Sequence, residues 1–332
     1  MYSLELGEMV SEHTLKMKFF TKFLLVVTVA AMSASPLFAW DETGHKISAY
    51  IAWERMTPAV RERVIKILRE APEDSHLSAL YASYGSQSID TRKREFFMVA
   101  STWADMVRDR DFANRYRKYH KGNWHYDDTF WTLRDGKIID LPRPDDGGQA
   151  LARINEYASM IRGSATEAQK AVAIAWLEHL IGDIHQPLHS SARVTEREPK
   201  GDQGGNTFLL TPEGTARDNQ VNLHWFWDSI VGRNAPNSRN EGDTTYIAPI
   251  ARKMMSDYPY SRMQGRLNLS DSAAWAKESL TLAQTDVFSA DLVRFQLPSS
   301  KYRKNAYRVA RQRLALAGYR MGDLFNQALS TP

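Results

Sequence analysis

Three histidines and an aspartate stand within eleven residues of this chain: His179, Asp183, His185 and His189 in "HLIGDIHQPLH". A second pair, His224 and Asp228 in "NLHWFWD", repeats the spacing of His179 and Asp183. Residues four apart share a helix face, so each pair can aim an imidazole nitrogen and a carboxylate oxygen at one point. With nine histidines and 39 acidic residues in 332 positions, about one such spacing arises by chance. Spacing alone therefore does not decide whether an ion is held.

The surroundings carry more weight. Asp183 follows the apolar run "QKAVAIAWLE", where an unpaired carboxylate is costly, and Asp105 lies in the similarly apolar "FFMVASTWAD". His125 lies in "NWHYDD", and His45 in "WDETGHKISAY". Few basic residues stand nearby in sequence to pair these groups. Five histidines and three aspartates thus fall at the ends of apolar segments, in a chain with no cysteine. Nitrogen and oxygen donors without thiolate suit zinc in a hydrolytic site rather than a structural cysteine site. Pro187 should end the helix between His185 and His189, so the two need not share a face, and His189 is the favoured ligand. His76 and His120 sit in polar surroundings and read as solvated.

The elements that must position these residues are mostly helical, so the fold class expected is all-α. Helices are expected over 43–56, 58–70, 95–108, 148–162, 165–185, 220–231, 246–258, 271–285 and 302–329. Thr57 followed by Pro58 reads as an N-cap with proline in the first turn. "GKIIDLP" and "GGNTFLLTPEG" are the best strand-and-turn segments. No internal repeat or low-complexity linker interrupts the pattern, which favours one helical domain over 40–332. The stretch "SSARVTEREPKGDQGGN" is long for a connection, and such loops are often functional.

Residues 1–39 read differently. "FLLVVTVAAM" is preceded by Lys18 and Lys22 and followed by "LFA" ending at Ala39. It is too short to span a bilayer and matches a secretory signal cleaved after Ala39, with Met17 as the better start because Glu5, Glu8 and Glu12 oppose a positive leader. The mature chain would begin at Trp40, in a periplasm or outside the cell, without stable membrane association. Removing residues 1–39 takes away three lysines and three glutamates and leaves the net charge at +4. This mild basicity is compatible with a polyanionic substrate but does not require one.

In order along nearly the whole mature chain, these pieces resemble the zinc-dependent, single-strand-specific nucleases (type I nucleases), whose fold is shared with bacterial zinc-dependent phospholipase C. The resemblance rests on Trp40 and His45, "WAD" with Arg108 three residues on, the segment His125-Tyr126-Asp127-Asp128, "HLIGDIHQPLH", the "GGN" turn ending at Asn206, and "NLHWFWD". It implies three zinc ions. One would be held by Asp105, His125, His179 and Asp183. A second would take His45, Asp183 as a bridge, and the α-amino nitrogen and carbonyl oxygen of Trp40. The third would take His189, His224 and Asp228. The resemblance further implies cleavage of single-stranded DNA or RNA to 5′-phosphate products, with 3′-nucleotidase activity. Asp105, Asp183 and Arg108 would act at the reacting phosphate, Tyr126 and Asp128 would hold an unpaired base, and Asn206 would shape the cleft.

Two other functions stay open on the sequence. A zinc phospholipase C shares the scaffold, but that family ends its last ligand pair in glutamate where this chain has Asp228. A non-catalytic zinc-binding protein on the same fold would have no need of Arg108, Tyr126 or Asp128.

Overall fold

Local signals start the N-terminal helices where the site needs them. The structure, a computed structural model, describes residues 40–81, 88–144 and 146–330, so the expected signal segment and its cleavage point after Ala39 lie outside the described residues. Helix α1 (Glu42–Arg55) begins at Asp41, whose side chain accepts from the Gly44 N–H at 3.0 Å. Helix α2 (Pro58–Arg69) begins at Thr57 with proline in its first turn, where a missing N–H leaves no bond unmade.

At the centre of the core lies α7 (Glu167–Asp183), started by a reciprocal capping box between Thr166 and Gln169. From Ala173 to Asp183 every residue is buried. A helix apolar on all sides must be covered on all sides, and α1, α2, α6 (Ala150–Arg162) and the long C-terminal α13 (Ser300–Leu329) cover it. Helix α13 also packs along α1 at close range. A Cβ at Gly318 would stand 2.5 Å from the Ile51 Cβ, so only glycine allows that approach.

Between α2 and α6 come α3 (Ile89–Ala100), α4 (Trp103–Met106), α5 (Ala113–Tyr119), β1 (Thr129–Arg134) and β2 (Lys137–Asp140). Strands β1 and β2 form an antiparallel hairpin across Asp135–Gly136, both with positive φ (51° and 72°), the backbone a two-residue hairpin turn needs. Strand β3 (Ser191–Arg193) pairs parallel to β1, with Thr129 opposite Ser191 and Trp131 opposite Arg193. The sheet order β2-β1-β3 brings the residues just before β1 alongside those just before β3. Helices α8 (Leu223–Asp228), α9 (Ile230–Asn234), α10 (Asp243–Asp257), α11 (Tyr260–Met263) and α12 (Ser272–Leu282) complete the mostly helical fold.

Three expectations need correction. The helix predicted over 95–108 breaks at Ser101 and Thr102, whose hydroxyls donate to the Met98 and Val99 carbonyls and close the turn. The helix predicted over 220–231 starts only at Leu223, because the Asn222 side chain caps Trp225 N at 2.7 Å, and it divides at Ser229. The strand expected in "GGNTFLLTPEG" shrinks to a single bridge between Leu209 and Asn222. Among the described residues no helix is long and apolar enough to cross a membrane.

Candidate metal centre

Three groups of side chains converge. One contains His45, His179 and Asp183, a second Asp105, His125 and His179, and a third His189, His224 and Asp228. Within each group one donor atom per residue lies within 4.8 Å of the others.

The last turn of α7 supplies the junction. Asp183 Oδ1 lies 3.3 Å from His45 Nε2, while its Oδ2 lies 3.0 Å from His125 Nδ1 and 3.3 Å from His179 Nε2. One carboxylate thus turns an oxygen to each of two neighbouring groups, the arrangement of a bridging ligand. His45 reaches this position because residue 182 is glycine: a Cβ there would stand 2.8 Å from His45 Nδ1. Asp105 Oδ1 closes the second group at 3.6 Å from His179 Nε2.

Backbone carbonyls orient the imidazoles. His179 Nδ1 donates to the Ser101 carbonyl at 2.8 Å, an acceptor set by the break between α3 and α4. His189 Nδ1 donates to the His125 carbonyl at 2.6 Å, and His224 Nδ1 to the Gly204 carbonyl at 2.7 Å. Each bond fixes the tautomer that presents Nε2 as a lone-pair donor, as ligating histidines require. In the third group His224 Nε2 lies 3.3 Å and His189 Nε2 3.9 Å from the Asp228 carboxylate.

The electrostatics fit cations. Both ring nitrogens of His45, His125 Nε2, His189 Nε2 and Asp183 Oδ1 are buried with no hydrogen-bond partner. Burial lowers the His45 imidazole to about 4 and holds His125, His179 and His189 well below their ordinary range. Burial also raises the carboxyls of Asp105, Asp183 and Asp228. Metal ligation needs neutral imidazole and ionised carboxylate. Burial therefore prepares the histidines, and positive charge between them would offset what it costs the aspartates.

The remaining residues singled out from sequence surround this centre or lie apart from it. Trp40 is fully buried, and the next residue's N–H (Asp41) donates to the Asp228 carbonyl at 3.1 Å. Arg108 pairs with Asp105 at 2.9 Å. Tyr126 is half-buried, its hydroxyl donating to the Asp146 carbonyl at 3.3 Å. Asp127 is occupied by Arg143 at 2.5 Å and by Leu151 N at 3.1 Å, whereas Asp128 Oδ1 is buried without a partner. Asn206 Nδ2 donates to the Gln203 carbonyl at 2.8 Å within its own turn. His185 points away: its Nδ1 donates to the Ile181 carbonyl, and its Nε2 accepts from Arg320 at 2.7 Å.

Sequence reasoning misses Gln186. Its Nε2 donates to Asp228 Oδ1 at 2.8 Å, and its Oε1 accepts from Leu188 N at 2.6 Å. The residue stands beside the ligands in "HLIGDIHQPLH", and that position was the available signal.

Comparison with known proteins finds nucleases among the relatives of this chain. Nuclease S1 of Aspergillus oryzae is 22% identical over 321 residues, covering 93% of this chain and 99% of that protein. Nuclease P1 of Penicillium citrinum is 21% identical over 305 residues, covering 87% and 97%. Endonuclease 2 of Arabidopsis thaliana is 27% identical over 221 residues, covering 63% and 61%. A family model described as S1/P1 Nuclease matches residues 40–330, nearly everything after the expected signal segment, and the chain belongs to that family of hydrolytic nucleases.

Proposed function

We propose that residues 40–332 form one domain that hydrolyses single-stranded DNA and RNA, using three zinc ions, to 5′-phosphate products, and that it also removes 3′-phosphates from nucleotides. The observation that carries this reading is the convergence of three groups of imidazole and carboxylate donors, among which both His45 ring nitrogens, His189 Nε2 and Asp183 Oδ1 are buried without a hydrogen-bond partner. Asp105, His125, His179 and Asp183 would hold one ion, and His45, Asp183 and the Trp40 backbone a second. His189, His224 and Asp228 would hold the third. Zinc at such sites supplies positive charge to a phosphate and a nucleophilic water at neutral pH.

The chain's own residues would do the rest. Arg108, held beside the centre by Asp105, would donate to the phosphate as its charge grows, a role that suits its planar fork. Tyr126 offers a half-exposed ring on which an unpaired base can stack, and Asp128 Oδ1 an unused acceptor for the base edge. A base within a duplex cannot be sandwiched in this way, which would give the preference for single strands. Asn206 would hold the cleft wall through its turn. The leader 1–39 would be removed on export to a periplasm or the medium.

The test is incubation of protein beginning at Trp40 with single- and double-stranded DNA, with and without chelator. Chelator-sensitive loss of the single strand with 5′-phosphate ends is expected, together with release of phosphate from a 3′-mononucleotide. A zinc-replete sample that leaves DNA and RNA intact would overturn the reading, and phospholipid hydrolysis would then be measured.

A further inference from the structure

Strands β1 and β3 lead away from the candidate centre to a second feature. A cavity of about 190 Å³ is lined by Arg193, Thr195, Arg197, Glu198, Asp202, Phe208 and Arg294. Most of this wall belongs to the long 190–206 connection. Three guanidinium groups meet here, and they are not equivalent. Arg294 is committed: it donates to the Thr207 carbonyl at 2.6 Å and pairs with Glu198, which also accepts from the Thr195 hydroxyl. Its role is to hold the wall.

Arg193 and Arg197 make no such bonds, although the charges of Asp202 and Glu198 act on Arg193. Arg193 lies over the Phe288 ring at 5.0 Å and the Trp131 ring at 5.7 Å, and its Nε is buried with no hydrogen-bond partner. Arg197 is exposed and lies over the Phe295 ring at 5.5 Å. Rings that support a guanidinium hold its fork in place while its N–H edge stays open to an anion. Asp202, only 2% exposed, accepts from Arg193 N with Oδ1 at 2.9 Å, and its Oδ2 has no partner. The cavity therefore offers cationic forks for a phosphate and one carboxylate oxygen for a hydroxyl or amino group. That is the donor set for a nucleotide rather than for a bare anion.

The position relates the cavity to the site. Arg193 is four residues beyond His189, at most about 14 Å of extended chain. Asp202 is also the main charged neighbour of Asp128, adding to the effect of burial on that carboxyl. A single strand whose base rests at Tyr126 and Asp128 would meet this cavity with its next nucleotides.

We propose that Arg193, Arg197 and Asp202 form a subsite for a neighbouring nucleotide of the same strand, with the two arginines taking its phosphate. The subsite selects long strands over short ones. This inference rests on the nuclease reading above. The experiment compares wild type with Arg197→Ala and with the Arg193→Gln/Arg197→Ala double variant, on a dinucleotide and on a decamer. The expected result is a KM for the decamer about tenfold higher in the double variant, with kcat and the dinucleotide kinetics unchanged. The slope of log affinity against log salt should become shallower by roughly 0.7 for each phosphate the variant no longer neutralises. Arg197→Lys, which keeps the charge, should recover part of the effect. Equal KM changes for both substrates, or none for either, would overturn the subsite. Binding of a fluorescent decamer, followed by anisotropy in chelator, decides the matter independently of turnover. Loss of salt-sensitive binding in the variants supports the subsite even if the protein cleaves nothing, whereas unchanged binding sinks it. Because Arg197 is exposed, its single variant tests the idea without disturbing packing.

Discussion

Gln186 on one side of the cleft holds Asp228 on the other: the amide donates to Asp228 Oδ1 at 2.8 Å across 42 residues of sequence. The same side chain accepts from Leu188 N, so its orientation is fixed from both ends. Replacing Gln186 with leucine should leave His45, His179 and Asp183 undisturbed but free Asp228 to rotate. Residues that orient a metal ligand are worth about 10–100-fold in metal affinity. Zinc titration of Gln186→Leu should show one site weakened by about that factor and the others retained. Uniform weakening of all sites would assign Gln186 a general packing role instead.

Gly182→Ala places a methyl group 2.8 Å from His45 Nδ1. The imidazole must then move, and it has no hydrogen bond of its own to restrain it. Zinc content measured by mass spectrometry should fall and activity should drop at least about tenfold. Normal zinc content and activity in the alanine variant would show that His45 is dispensable.

If the Trp40 α-amino group is a ligand, an added residue before it turns that amine into an amide. Protein carrying an extra methionine ahead of Trp40 should lose one zinc and most activity. Equal activity from extended and processed protein would refute the role.

Removing the metal should also lower stability. Without cations, the carboxyls of Asp183 and Asp228 are buried without adequate compensation. A ligand at a thousandfold its dissociation constant stabilises by about 4 kcal/mol. Chelation should therefore lower Tm by roughly 5–10 °C. A Tm unmoved by chelator would mean that the donors bind no metal in the folded state.

Away from the centre, Arg313 and Arg320 are buried and both donate to Glu278. Burial pushes the Glu278 carboxyl up, but the two arginines outweigh it and hold it below its ordinary value of 4.5. A depressed carboxylate stabilises the fold above its unfolded pKa, and that contribution is lost as pH falls through the lower folded value. Glu278→Gln should cost about 3–5 kcal/mol at pH 7 in denaturant unfolding, since it leaves two buried guanidiniums unpaired. The gap from wild type should narrow as pH falls through the depressed folded value, where Glu278 itself becomes neutral. A gap independent of pH would rule out an electrostatic origin.

Much of this arrangement was legible from the chain because it is written in local spacing. The pairs His179–Asp183 and His224–Asp228 each fall on one helix, and the cap at Thr57 has a side chain that acts within a single turn. The hairpin between β1 and β2 also had a local signal in Asp135–Gly136, but only its second strand, in "GKIIDLP", was expected. Other features depend on distant partners. Strand β3 has three residues and exists through its pairing with β1. The break at Ser101 matters because the His179 imidazole, 78 residues later, bonds the Ser101 carbonyl. The direction of His185 is set by Arg320, 135 residues away. No window of sequence contains both halves of such contacts.

The packing of α13 along α1 has a consequence for the order of assembly. Arg55 and Asp323, 268 residues apart, are ion-paired across this contact, and Gly318 keys into Ile51. His45 emerges well before the helix that backs α1, because 255 residues separate His45 from Ser300. The first ligand element must therefore wait, without its final support, until α13 has also emerged. Contacts between residues so far apart in sequence are slow to form. The centre should thus become able to retain metal late in folding, only after the C-terminal helix has docked.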